Sequence, residues 1–189
     1  MNYSLVTAPS VQPLTLEETK IYLRVDSDVE DNLISSLIVA ATSMVESETW
    51  RALCTQTWKL SMDTTEVKKF VGITKSPIQS ISHIKYFDIN GVQQTMSTGN
   101  YSVDLLNEPA RIEFVQVPAM IERMNAMEIQ FVCGYGVAAS VPDGLKNAIL
   151  LLIGHLYEHR EAVATNNLSE MPLGMQALLN PYIVYFYPY

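Results

Sequence analysis

The spacing of apolar residues changes twice along this chain, and those changes constrain the fold more than any motif. Before residue 55 apolar residues recur every three or four positions, the period of a helix with one buried face. Between residues 55 and 133 the period becomes two, as in strands with one face buried and one solvated. Beyond Pro142 the helical period returns. The chain therefore reads as helices, then strands, then helices.

In the first block, Thr15 and Glu18 have the spacing of a capping box and open a short helix with Leu16, Ile21 and Leu23 on its apolar side. Ser27 and Glu30 repeat the box and open a longer helix. Asp28, Glu30 and Asp31 fall in its first turn, where the helix dipole favours negative charge. Val29, Leu33, Leu37, Ala40 and Met44 form one stripe, and Ile34, Ile38, Ala41 and Val45 widen it. That pattern predicts a mostly buried helix ending near Trp50.

In the middle block, residues 57–62 alternate, as do residues 101–105, 111–114 and 128–133. Residues 84–88 lead into Asn90 and Gly91, a strong tight-turn pair, and then into residues 92–96. These are short, mostly antiparallel strands. In the last block Pro142 sits where a helix tolerates proline, and Leu145, Ala148, Ile149, Leu152, Ile153 and Leu156 give a buried face, with an end near Val163. Residues 173–179 predict one or two further turns, stopped at Asn180 and Pro181.

Neither chain end alone supplies its helices with enough partners. Packing both ends into one helical core, with the strands inserted between them, solves this. The expected fold class is α+β: a helical core from both chain ends, an inserted small antiparallel β region and an extended C-terminal arm. The expected boundaries are 1–54 for the N-terminal helices, 55–135 for the β-rich insertion, 136–181 for the C-terminal helices and 182–189 for an aromatic arm. A chain of 189 residues can bury roughly 70% of its unfolded surface, so it needs no disulfide or metal to fold.

Charge narrows the partners. The net charge is −8, from 20 acids and 12 bases, which argues against a conventional basic DNA-binding domain. Residues 1–50 carry 8 acids and 2 bases, residues 51–142 carry 8 of each, and residues 143–189 carry 4 and 2. Charged residues make up only 17%, which suits a surface covered by other chains. Cys54 and Cys133 lie in no CxxC or zinc spacing and read as buried, reduced thiols of a cytosolic protein. The N-terminus has neither the basic nor the apolar region of a signal peptide, and the longest apolar run, residues 148–157, is too short to cross a bilayer.

Few motifs suggest chemistry. His155, Glu158 and His159 fit H-x-x-E-H, a zinc-hydrolase spacing with both histidines on one helix face. A third ligand would have to come from Glu161 or Glu170, and a polar helix end where histidine suits the dipole reads the same residues without metal. The glycines of residues 133–136 read as a turn rather than a phosphate loop, and His83 stands alone in a strand. No catalytic residue and no cofactor is assigned. The tail at 182–189 holds five aromatics and no charge, which suits an arm that packs on its own core or docks on another chain.

Four blocks together resemble the head–tail connector (neck adaptor, head-completion) family of tailed phages and prophages. They are LTLEETKIYLRVDSDVEDNLISSLIVAATSMVESETWRALCTQTW at 14–58, PARI at 109–112, FVCGYGVAASVPDGLKNAILLLIGHLYEHREAV at 131–163, and PLGMQALLNPY at 172–182. They occur in the family's order and cover roughly half the chain. Residues 61–107 match less well, His159 stands where the family more often has another polar residue, and residues 183–189 extend past where many members stop.

The resemblance implies a structural adaptor rather than an enzyme. It implies a homo-oligomeric ring, twelvefold in the family, at the virion neck beneath the portal protein. The ring would extend the DNA channel and dock the next stopper or tail protein, with synthesis in the host bacterial cytoplasm and no membrane partner. The C-terminal part would face the portal or a neighbouring subunit, through Leu173, Met175, Leu178, Leu179, Tyr182, Tyr185, Phe186, Tyr187 and Tyr189. DNA would pass the lumen without specific binding. The acids of residues 17–48 would then face the channel, and Lys59, Lys68, Lys69 and Lys75 would not. The alternatives are a zinc hydrolase on His155, Glu158 and His159, and another virion protein such as a stopper or tail-completion protein.

Overall fold

The computed structural model describes residues 1–159 and 173–185. It contains four α-helices and two antiparallel sheets, and the chain divides into a helical unit and a β unit. The fold is α+β.

The helical unit takes residues 11–54 and 135–183. Helix α1, Leu16–Leu23, begins with the expected box: the Glu18 amide donates to Thr15 Oγ1 at 3.1 Å, and the Thr15 amide donates to Glu18 Oε2 at 2.8 Å. It stops where Arg24 turns left-handed, at φ 57°. In place of the expected second box, Ser27 Oγ accepts from the Val29 amide at 3.3 Å and caps a 3-10 turn, Asp28–Glu30, before helix α2, Asp31–Thr49, begins. Trp50, at φ 56°, ends α2 where expected. Helix α3, Asp143–Glu158, follows Pro142, and α4 spans Leu173–Leu179. The predicted end of α3 near Val163 is corrected to Glu158, because His159 leaves helical geometry with ψ 57°.

The core of this unit joins the two chain ends. Ile34, Ile38, Ala41 and Val45 of α2 are buried with Leu145, Ala148, Ile149, Leu152 and Ile153 of α3 and with Met175 and Leu179 of α4. Only one of the two adjacent rows on α2 is interior. Val39 and Met44 are exposed, and Val29, 88% exposed, lies in the 3-10 turn before the helix, so α2 buries a narrower face than the spacing predicts.

The β unit takes residues 1–10, 55–134 and the chain from Val184. Its strands are β1 (Asn2–Thr7), β2 (Gln56–Met62), β3 (Phe70–Ile73), β4 (Ile78–Phe87), β5 (Gln93–Thr95), β6 (Tyr101–Asp104), β7 (Ala110–Phe114) and β8 (Met127–Cys133). The larger sheet runs β1-β2-β8-β4-β5 and the smaller β3-β7-β6. Strand β8 buries Met127, Ile129, Phe131 and Cys133 and leaves the residues between them half-exposed, as its alternation requires. At the β4–β5 hairpin, Gly91 (φ 75°) supplies the left-handed position, while the Asp88 carboxylate accepts from the Asn90 and Val92 amides at 2.9 and 3.0 Å.

The boundary 1–54 places the whole N-terminus with the helices, yet residues 2–7 form strand β1 of the larger sheet. Non-local contacts explain this. Asn2 pairs with Ser61 and Leu5 with Trp58 along β2. The Tyr3 hydroxyl accepts from the Thr74 amide at 2.9 Å, and its ring meets Phe131 edge-on at 6.4 Å. Strand β3 and the first half of β4 are likewise additional to the predicted strands.

Candidate functional site

The residues expected at an interface divide into three groups. Met175 and Leu179 are fully buried in the helical core of the single chain. Their spacing of four places both on the α4 face that packs inward. Leu178 and Tyr182 are half-buried against the same core, and Tyr185 is 61% exposed. The side chain of Leu173 and all of Phe186, Tyr187 and Tyr189 lie outside the described residues.

Tyr182 is held from two sides. Arg51 Nε donates to its carbonyl oxygen at 2.5 Å. The guanidinium of Arg51, itself buried, lies 5.8 Å from the centre of the Tyr135 ring. The Tyr182 ring rests on Gly144, where a Cβ would stand 2.9 Å from the tyrosine oxygen. The 3-10 turn Asn180–Tyr182, with Pro181 near its start, delivers the residue to this position. Tyr185, the last aromatic among the described residues, thus leaves from an anchored point.

The H-x-x-E-H residues come together only in part. The rings of His155 and His159 lie 4.5 Å apart, tilted by 31°. His159 has left the helix, and its Nδ1 is 3.0 Å from the His155 carbonyl oxygen. Among the described residues no group of three His, Cys, Asp or Glu side chains could hold a metal ion. Glu161 and Glu170 lie outside the described residues.

Two charged regions stand out, one in each unit. In the helical unit, Lys20 donates to Asp28 and Asp31 at 2.7 Å each. The Lys20 hydrogen bond and charge hold the Asp28 carboxyl below its usual range. Residues 17–31 hold 6 acids against 2 bases, with Ile21 (72% exposed) and Val29 among them. A shallow groove here is lined by Leu16, Ile21 and Val25, with Glu17, Lys20 and Asp26 at its sides.

In the β unit, lateral register gathers cations that lie far apart in sequence. Ser61, Glu128 and Lys85 are neighbours across β2, β8 and β4, and Lys59, Gln130 and His83 form the next row on the same face. Glu128 takes Lys59 and His83, both at 3.3 Å. Burial pushes the Glu128 carboxyl up, but hydrogen bonds from His83 and Lys59 outweigh it and hold it below its usual range. A pocket there is lined by Lys59, Lys85, Arg123 and Glu128 among other polar groups. The Arg123 guanidinium lies 3.9 Å from the centre of the Phe87 ring. Among the described residues no carboxylate is within ion-pair distance of Lys85 or Arg123. Sequence alternation predicts a solvated face but not this gathering, because register between distant strands creates it.

The four lysines expected to stay off a channel wall differ in environment. Lys75 is buried, 4.9 Å from the centre of the Trp58 ring, so it lines no surface. Lys69 pairs with Glu113 at 3.0 Å, Lys59 is taken by Glu128, and Lys68 is exposed.

The chain matches the model of a family described as head completion protein, over residues 12–168. No curated protein matches it. It is similar to a chain of the neck of an empty GTA particle computed with C6 symmetry, at 24% identity and a TM-score of 0.81, covering 100% of this chain and 98% of that one. It is similar to the same extent to a chain in the virion of a native gene transfer agent (GTA) particle, at 24% identity and a TM-score of 0.81, with 100% and 98% coverage. For the neck of a native GTA particle computed with C12 symmetry the values are 22% identity, a TM-score of 0.77, and coverage of 100% and 98%. At these identities the structural likeness establishes the fold.

Proposed function

This chain belongs to the head completion protein family, and on that premise we propose that it is a structural head–tail connector of a phage or phage-like particle. The observation that carries the reading is the family match across both units, from residue 12 to residue 168. The fold shared with neck chains of gene transfer agent particles supports it. In this reading the chain works at the virion neck, by contact rather than catalysis.

The finer reading is a ring of identical subunits, twelvefold, between the portal protein and a stopper or tail protein. DNA passes its lumen without specific binding. A closed ring requires heterologous contacts, in which one patch meets a different patch on the next copy. Outward apolar residues on α2 and in the loops of the β unit supply such patches. The portal-facing contact falls to the segment that begins at Tyr185, since Met175 and Leu179 serve the chain's own core.

Negative-stain imaging of the purified chain with its portal protein tests this. The expected image is a ring seated on the portal's tail-side face. Density only at the far end of the neck, with no portal contact, would instead identify a stopper.

A further inference from the structure

We propose that His155 and His159 form a two-imidazole site for a divalent late transition cation, of the zinc and nickel class, at the C-terminal end of α3. The inference is independent of the connector reading and concerns residues which that reading does not use.

Three observations carry it. First, the two ring centres lie 4.5 Å apart. Metal–imidazole bonds are about 2.0–2.1 Å and a ring nitrogen lies about 1.1 Å from its ring centre, so two rings on one ion have centres about 4.5–5 Å apart. The observed separation stands at the short end of that range. Second, His159 is oriented as a ligand. It leaves helical geometry, at φ −104° and ψ 57°, and brings its Nδ1 to 3.0 Å from the His155 carbonyl oxygen. The same carbonyl accepts the His159 amide at 3.0 Å. A carbonyl only accepts, so Nδ1 is the donor, and Nε2 of the neutral ring keeps its lone pair. A backbone carbonyl on the far ring nitrogen is the common support of a metal-bound histidine. Third, other groups do not claim these nitrogens. Among the described residues no carboxylate pairs with either ring, and the His155 ring makes no hydrogen bond. The His155 ring is therefore free to turn and aim a nitrogen at the same point. His83, the third histidine of the chain, is taken by Glu128 at 3.3 Å.

The donors select the ion. Imidazole nitrogen suits Zn²⁺, Ni²⁺ and Cu²⁺, whereas Mg²⁺ and Ca²⁺ take oxygen ligands. Glu158 is exposed and completes no group of three ligands with the pair. Two protein ligands fall short of the three usual in a catalytic zinc site. The role that fits is a staple: the ion pins the chain, where it leaves α3, to the last turn of the helix.

Nickel titration of the full chain, carrying no histidine tag, tests the site. Calorimetry should show one Ni²⁺ per chain, displaced by Zn²⁺ and unaffected by excess Mg²⁺. His155→Ala and His159→Ala should each weaken binding at least about tenfold, since even loss of a ligand's support costs that much. His83→Ala should leave it unchanged. In proton spectra of the wild type, Ni²⁺ should broaden the ring signals of His155 and His159 together and spare those of His83. Saturating Ni²⁺ should raise the melting temperature of the wild type but not of the double variant, because an ion held only by the folded pair stabilises the fold. His155 is half-buried and His159 exposed, so without metal the variants should melt as the wild type does, which separates a lost ligand from a lost fold. Absence of binding would overturn the proposal. So would full affinity in either single variant, which would mean that one ring suffices, or binding that survives in the double variant.

Discussion

Gly144 and Tyr182 are in direct contact: a Cβ at residue 144 would stand 2.9 Å from the tyrosine oxygen and 3.1 Å from ring carbon Cε2. The first turn of α3 thus forms the seat for the chain's C-terminal turn. Alanine at this position gains helix propensity, at most about 1 kcal/mol, but must displace a packed ring at about 1–3 kcal/mol. We expect Gly144→Ala to lower the melting temperature modestly and to make the segment from residue 173 more sensitive to protease. Adding Tyr182→Phe removes the closest atom and should recover part of the loss. A Gly144→Ala variant with unchanged protease sensitivity would refute the seating.

Asp104 gives a pH test. Hydrogen bonds from Arg111 Nη2 at 2.6 Å and Asn107 Nδ2 at 2.5 Å lower its pKa from 3.8 to about 2. Its folded value lies below its unfolded one, so its stabilising contribution is complete above pH ~4 and is lost as pH falls towards 2. Melting curves between pH 5 and 2 should show a smaller decline for Asp104→Asn than for wild type. Parallel curves would mean that this carboxylate contributes nothing to the acid sensitivity.

The buried face of α3 and the exposed 3-10 turn before α2 should respond differently to truncation. Ile149 is fully buried between the chain ends, so Ile149→Ala should cost about 2–5 kcal/mol. Val29 touches little, so Val29→Ala should change stability by less than about 0.5 kcal/mol. Urea denaturation of both variants measures the contrast. A large effect at Val29 would mean that it is covered by its own chain, which would also remove it from any contact between copies.

The same pair shows how much was legible in the sequence. Periodicity located α3 and strands β2, β7 and β8, because each has one strongly buried face. It could not choose between adjacent rows on α2, since residues 33 and 37 and residues 34 and 38 fit one broad stripe equally well. Strand β1 carried no alternating burial to detect, and its place depends on Tyr3 reaching Thr74 and Phe131. The gathering of Lys59, His83 and Lys85 around Glu128 depends on register among β2, β8 and β4, which a linear sequence does not display. The family resemblance named Met175 and Leu179 as interface residues, but a resemblance between sequence blocks does not distinguish an interior face from an interface.

Tyr3 offers a check on the added strand. Burial raises its pKa, the Thr74 hydrogen bonds oppose that rise, and its hydroxyl accepts from the Thr74 amide. Tyr3→Phe keeps the contact with Phe131 but leaves that amide short of an acceptor. The expected cost is about 1–2 kcal/mol in urea denaturation. Hydrogen exchange should quicken at Thr74, just beyond β3, before it quickens in β2. A neutral effect at both would show that β1 is held by its backbone pairing with β2 alone.

The C-terminal segment allows assembly to be separated from folding. Tyr182 is seated on Gly144 and Val184 is buried, so a cut after Tyr182 keeps the first but removes the second, a group that the fold uses. A cut after Tyr185 spares both. If the residues beyond Tyr185 reach the portal, a chain ending there should melt within about 2 °C of the full chain, because it loses neither group. It should nonetheless fail to co-purify with portal protein and should leave particles without a completed neck. The shorter chain ending at Tyr182 should fail in both respects, with a lower melting temperature. Normal portal binding by the chain ending at Tyr185 would move the contact back to Tyr185 itself, which Tyr185→Ala would then reveal.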